Sequence, residues 1–213
     1  MKGEKARSEL GLYVQFMTEI KDRSVAIQRL LDEVRPEKPP LVAGYAQVES
    51  AILQVRYICE LVALAALAAH SQLGLSGKLL KSWNADDTFA RLAHLNPNCF
   101  PRAAKITRPN GTLHIDLPPG HLDMPELQRI YSSCGTLLHR GVMKHALETG
   151  GGRQYSVDEV VGWMSRISNL LRHHIVMLLE PGNVLIVTMN ALGAEVDVVI
   201  AEAGGPSVLV EAR

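Results

Sequence analysis

The residues of this chain whose types and spacing could do chemistry together are arginines and histidines. Three arginines are followed, after four to six intervening residues, by a histidine: Arg108 and His114, Arg140 and His145, Arg166 and His173. An imidazole that titrates near neutrality can take a proton from a ribose 2′-hydroxyl, while a guanidinium grips the adjacent phosphate through two N–H groups as charge develops on it. Arg108 and His114 straddle a turn and are set aside. Arg166 and His173 are seven apart, so on one continuous helix they project within about 20° of each other, with Asn169 on the same face. Arg140 and His145 lie about 140° apart round a straight helix, and they converge only if the chain bends at Gly141 or two subunits share the site. Each histidine also has a plain structural alternative. His173 and His174 can close a helix, near the negative end of its dipole. His145 falls on a buried stripe with Cys134 and Leu138 if the helix continues through Gly141.

Nothing else in the chain matches a high-specificity catalytic pattern: there is no P-loop, GxGxxG, HExxH or GxSxG sequence and no Cys/His set with metal spacing. No cofactor and no metal are expected. Gly150-Gly151-Gly152 before Arg153 stands between two helical segments rather than after a strand, so it reads as a linker. The chain has 213 residues, with 22 basic and 22 acidic side chains, so any nucleic-acid surface must be a local patch. Cys59, Cys99 and Cys134 are odd in number and widely spaced, as expected of apolar fillers in a reducing cytoplasm. The first residues lack the apolar core of a secretory signal. Leu61 to Ala69 is about half of the ~20 apolar residues a bilayer span requires, so it reads as a buried helix and no membrane partner is expected.

The elements that must position these residues follow from periodicity. Leu10, Tyr13, Met17, Ile20, Ile27, Leu31 and Val34 recur at steps of three and four, which predicts a long helix with a narrow apolar seam. That seam either packs inside the chain or pairs with a second copy. Pro-rich residues 35–40 end it. A second helix from Val42 to about Leu73 becomes apolar nearly all round after Tyr57, as the central helix of a bundle would. Arg56 and Glu60 sit on it one turn apart, and charges in that setting need a partner. Asn84 caps a third helix through Leu95, Asp123 with Pro125 and Glu126 opens a fourth, and Ser156 with Glu159 opens a fifth. Asn110-Gly111 marks a short β-hairpin insertion near 104–117. After His174 the alternation changes to that of antiparallel strands. The expected fold is α+β, mainly α: a helical bundle over 1–174 and a small C-terminal antiparallel sheet over 175–213 packed on it.

The stretch Arg56 to His70, RYICELVALAALAAH, followed by Ile130 to Gly141, IYSSCGTLLHRG, resembles the helical pairing of the HEPN superfamily across roughly Leu41 to His174. The resemblance implies a helical bundle that dimerises, and an Arg-x4-6-His motif that cuts RNA without metal, in phage defence or a toxin-like system. Other members serve as binding or scaffold modules. The motif maps here to Arg140 with His145 or to Arg166 with His173, and the residue after the arginine, often Asn, Asp or His in active members, is Gly141 or Ile167. Two readings follow. The first is an RNA-binding protein or metal-independent endoribonuclease with His139, Arg140 and His145 as the reacting cluster, and with Arg56, Glu60, Arg166 and His173 around the substrate. The second is a non-catalytic dimeric interaction module that uses the N-terminal seam and the sheet as docking elements. A small-molecule binder is a third possibility that no residue pattern marks.

Overall fold

The computed structural model describes residues 2–34, 42–70, 84–108, 110, 112–139, 156–180, 182–191 and 194–202. Within them lie five helices, α1 (Lys2–Asp32), α2 (Val42–Ala69), α3 (Ala85–Leu95), α4 (Met124–Leu138) and α5 (Val157–Leu171). Six strands accompany them: β1 (Arg102–Ala103), β2 (Lys105–Thr107), β3 (His114–Asp116), β4 (His173–Met177), β5 (Asn183–Thr188) and β6 (Asp197–Glu202). The chain is thus α+β and mainly α.

α2 is the hub. Its apolar circumference after Tyr57 buries Ile58, Cys59, Val62, Ala65 and Ala66 almost completely, and it packs against all four other helices. Tyr45–Ala69 is long and apolar enough to cross a bilayer by composition, and 67% of its most apolar window is buried inside the chain. The α1 seam lies along it: Tyr13, Met17, Ile20, Ile27 and Leu31 are buried, and Leu10 and Val34 are packed at the margin. The seam therefore meets α2, and its apolar side is not a free surface for a second copy.

The helix starts follow the local chemistry. Asn84 Oδ1 accepts from the Asp86 amide at 2.9 Å and opens α3. Asp123 and Glu126 form a reciprocal capping box at α4, with Glu126 N to Asp123 Oδ1 at 2.8 Å and Asp123 N to Glu126 Oε2 at 3.2 Å. Ser156 Oγ accepts from the Glu159 amide at 3.2 Å and opens α5.

The sheet runs β1-β4-β5-β6, antiparallel throughout. Three of its strands fall where the alternation after His174 places them. The fourth, β1, comes from the middle of the chain, and two residues are too short to show any period. β2 and β3 form the expected hairpin, with Ile106 opposite Ile115 and Asn110 in the left-handed region at φ 53°. It covers part of the sheet: Ile106, Ile115 and Leu117 pack with Ile175, Val184 and Ile186 on the outer face. The inner face, with Val176, Leu185 and Val187, belongs to the helical core.

Buried polar groups fasten the sheet to the helices. His174 is fully buried on β4; its Nδ1 lies 2.9 Å from Leu171 O and its Nε2 2.7 Å from Tyr13 Oη. A carbonyl only accepts, so Nδ1 carries the proton and Nε2 accepts from the tyrosine. Lys21 Nζ donates to Ala191 O at 2.8 Å and Ala194 O at 2.7 Å, which ties α1 to the β5–β6 connection. His70, just past α2, donates through Nδ1 to Ala66 O at 2.7 Å, and its Nε2 accepts from Asn96 Nδ2 at 2.8 Å. Asn96 Nδ2 also donates to Met177 O at 2.8 Å.

All three cysteines are free and buried. Burial pushes the Cys99 thiol up to about 11 and the Cys134 thiol to about 12, and raises Cys59 as well. At pH 8 an aromatic disulfide reagent should therefore titrate three thiols only after urea is added; rapid labelling of the native protein would contradict this packing.

Burial lowers the His174 pKa to about 4, against an ordinary value of 6.5. The folded chain then refuses a proton that the unfolded chain binds between those values. The neutral histidine's stabilising contribution is complete above pH 6.5 and is lost as pH falls towards 4, by about 3 kcal/mol in all. Urea midpoints measured from pH 7 to 4 should show this slope in the wild type and a flatter one in His174→Gln. Equal slopes would refute the assignment.

Candidate functional site

The resemblance segments meet where α2 faces α4. Arg56 and Glu60 occupy successive turns of α2, both about a quarter exposed, with Arg56 Nε 3.5 Å from Glu60 Oε1. Tyr131, on the buried stripe of α4, enters between them. Its hydroxyl accepts from Arg56 Nη2 at 2.6 Å and donates to Glu60 Oε1 at 3.2 Å, while the Arg56 guanidinium carbon lies 3.9 Å from the ring centroid. Arg56 Nη1 also reaches Tyr131 O at 3.4 Å. Burial, reinforced by the Glu60 charge, pushes the Tyr131 hydroxyl up to about 12, so it stays protonated and keeps donating to the carboxylate.

Gly135, one turn further along α4, makes room for this guanidinium. A Cβ built there would stand 2.7 Å from Arg56 Nη1. The demand is for space, since Gly135 is an ordinary helical residue with no positive φ. Arg56 and Glu60 thus pair as their context requires, but their polar atoms are directed to each other and to Tyr131. Their place in the structure is a clamp between α2 and α4, where the sequence suggests a substrate contact.

α4 ends at Leu138. His139 is its C-cap, with an extended backbone (φ −80°, ψ 131°), an amide bonded to Gly135 O at 3.1 Å and an exposed side chain. The helix therefore stops before Gly141. Arg140 and His145 lie outside the described residues.

The Arg166 and His173 arrangement is corrected. α5 ends at Leu171 and His173 opens β4, so the two do not share a helix face. The chain turns there because strand alternation sends His174 inward to Tyr13 and Leu171 O and leaves His173 outward, 3.3 Å from Thr188 Oγ1. The plain alternative of a helix-closing histidine is met in part, because His174 binds a last-turn carbonyl, although as neutral imidazole from the strand. Arg166 is ion-paired with Glu126 in the first turn of α4, and Arg129 stands 3.8 Å from the same carboxylate. The Arg166 hydrogen bond, with the Asp123 amide, lowers the Glu126 pKa.

Along the outer side of α4, between the first turns of α3 and α5, runs an open groove of ≈ 640 Å³. Ser132, Ser133 and Thr136 form its floor, Asp86 and Glu159 face it from the neighbouring helices, and Arg129 is its single cation. Asp86 Oδ1 is buried and has no hydrogen-bond partner. Its two carboxylates outnumber its one cation, which disfavours a phosphodiester along its length. No group of three His, Cys, Asp or Glu side chains suited to a metal occurs among the described residues.

No family model, no curated protein and no solved structure matches this chain. The residues whose roles sequence reasoning did not reach are Tyr131 and Gly135. Their signal was present: an isolated glycine in a helical pattern, four residues after a tyrosine that the stripe directs at the helix carrying Arg56.

Gly135→Ala and Arg56→Met should be strongly non-additive. In an otherwise unaltered helix, alanine for glycine gains about 1 kcal/mol. With Arg56 present that gain should vanish or reverse, and with Arg56→Met it should return, as read from urea unfolding of the four proteins. Additive energies would show that Gly135 is not the seat of the guanidinium.

Proposed function

We propose that the chain is a HEPN-like RNA-binding protein that cuts RNA without metal, with His139, Arg140 and His145 as the reacting cluster and a homodimer as the working form. The observation that supports this is the contact between the two segments that carry the resemblance, made by Arg56 and Glu60 of α2 on Tyr131 of α4. That clamp fixes the helix whose last cap is the exposed His139, immediately before Arg140. In this reading one imidazole of the cluster takes the 2′-hydroxyl proton, Arg140 neutralises the charge growing on the phosphate, and a second imidazole protonates the leaving 5′-oxygen. Arg56 and Glu60 are positioning residues. Arg166 and His173 have no part in it.

A second reading, a non-catalytic interaction module, is favoured by the ion pair that occupies Arg166 and by the carboxylates of the α4 groove. Incubation with labelled total RNA in excess EDTA separates the two. Nuclease action predicts cleavage by the wild type and losses of at least ~10²-fold in Arg140→Ala and His145→Ala, with unchanged circular dichroism. Equal residual cleavage by all three proteins would remove the reaction from these residues. A folded wild type that leaves RNA intact would leave the interaction module standing.

A further inference from the structure

The last described strand is the most exposed apolar element of the sheet. β6 pairs on one side with β5, and among the described residues it has no neighbour on the other. Paired residues share a face, so Ile200, opposite Leu185, belongs to the helix side, and Val199, opposite Ile186, belongs to the outer side. Both are half-exposed, at 53% and 54%, in adjacent positions of the free edge. A side chain packed on one face of the sheet would cover only one of them. A further strand along the edge would cover both and satisfy the outward backbone groups of β6.

Two occupants of the same chemistry are at hand, a second copy of β6 and the chain's own continuation. Antiparallel pairing of β6 with itself must keep each face together, so it centres on Val199 and sets Asp197 against Ala201, or on Ile200 and sets Glu202 against Val198, a charge against an apolar side chain at both ends. The continuation, over Ser207 to Val210, sets no charge against an apolar side chain. After Glu202 the sequence reads Ala203-Gly204-Gly205-Pro206 and then Ser207-Val208-Leu209-Val210. A two-residue turn at Gly204-Gly205 and a four-residue loop over Ala203 to Pro206 give the same register, with Glu202 opposite Ser207. The missing N–H of Pro206 favours the longer loop. In that register Ala201 meets Val208, Ile200 meets Leu209 and Val199 meets Val210. The two exposed side chains of the edge each receive an apolar partner on their own face.

We propose that the free edge of β6 is the docking site for the chain's own segment Ser207 to Val210, which adds to the sheet as its fifth strand. The device closes an apolar edge that would otherwise recruit strands from other molecules.

Paired cysteines in the full chain test it, because the three native thiols are buried and free. The pairs Val199→Cys with Val210→Cys and Ile200→Cys with Leu209→Cys are in register; Val199→Cys with Leu209→Cys is one residue out and on opposite faces. Under mild oxidation, at least one in-register pair should close within the monomer ~10-fold faster than the off-register pair, since one of them occupies the closer, non-hydrogen-bonded position. Mass and non-reducing electrophoresis read the product. Closure at the off-register rate in both pairs would overturn the proposal. So would a bond formed chiefly between chains, which would give the edge to a second copy.

Discussion

A helix that is apolar nearly all round can leave little of its surface to water, and α2 after Tyr57, with Glu60 as its one charge, is such a helix. Burying it requires neighbours in every direction. α1 supplies one long wall through its seam, α4 a second, and α3 and α5 the rest. No single amphipathic helix could do this, because its apolar stripe covers only part of a neighbour. The length of α1 follows from the same demand: its packed seam from Leu10 to Val34 runs beside the 28 residues of α2. The apolar seam of α1, from Tyr13 to Leu31, is committed in this way to the inside of the fold.

Apolar burial is nondirectional, and polar groups inside the fold supply the register that it lacks. Tyr13 and His174 join residues 161 apart in sequence, and the imidazole can serve both Leu171 O and the tyrosine only in one tautomer. Lys21 reaches two carbonyls of the β5–β6 connection, an arrangement that fails if α1 slides by a turn. The Arg56 clamp does the same for α4, because the guanidinium, bonded to Tyr131, lies where a side chain at 135 would stand. Each tie joins helices to one another or to the sheet. They specify one packing among the several that the apolar faces would tolerate.

The elements themselves were legible in the sequence, since their causes are local. Asn84, Asp123 with Glu126, and Ser156 each bond an amide two or three residues away, and the α1 seam repeats over seven turns. The hairpin at Asn110 and the strands after His174 were legible for the same reason. What escaped were facts that depend on distant residues. β1 is two residues long and is a strand only because β4 lies beside it. His173 and His174 continue a helical pattern on paper, yet the hydrogen bond of His174 with Tyr13, far away in sequence, goes with their place in a strand. The pairing of Arg56 with Glu60 was legible from their spacing. Its third member is marked only on the facing helix, where the apolar stripe of α4 carries Tyr131 four residues before Gly135.

These ties also bear on where chemistry can occur. An arginine held by a carboxylate and a tyrosine has its donors in use, and freeing them for a phosphate would expose a buried ring and strand Glu60. Arg166 is similarly matched by Glu126, a carboxylate that the capping box holds in place. The described helices therefore commit two of the nominated cations to structure. His139 differs, because its backbone amide serves the helix end and its exposed ring has no partner among the described residues. A group left free by the architecture at the end of a rigidly clamped helix can meet a ligand without dismantling a structural contact. Among the described residues nominated for chemistry, His139 at the end of α4 is the one that stands in this way.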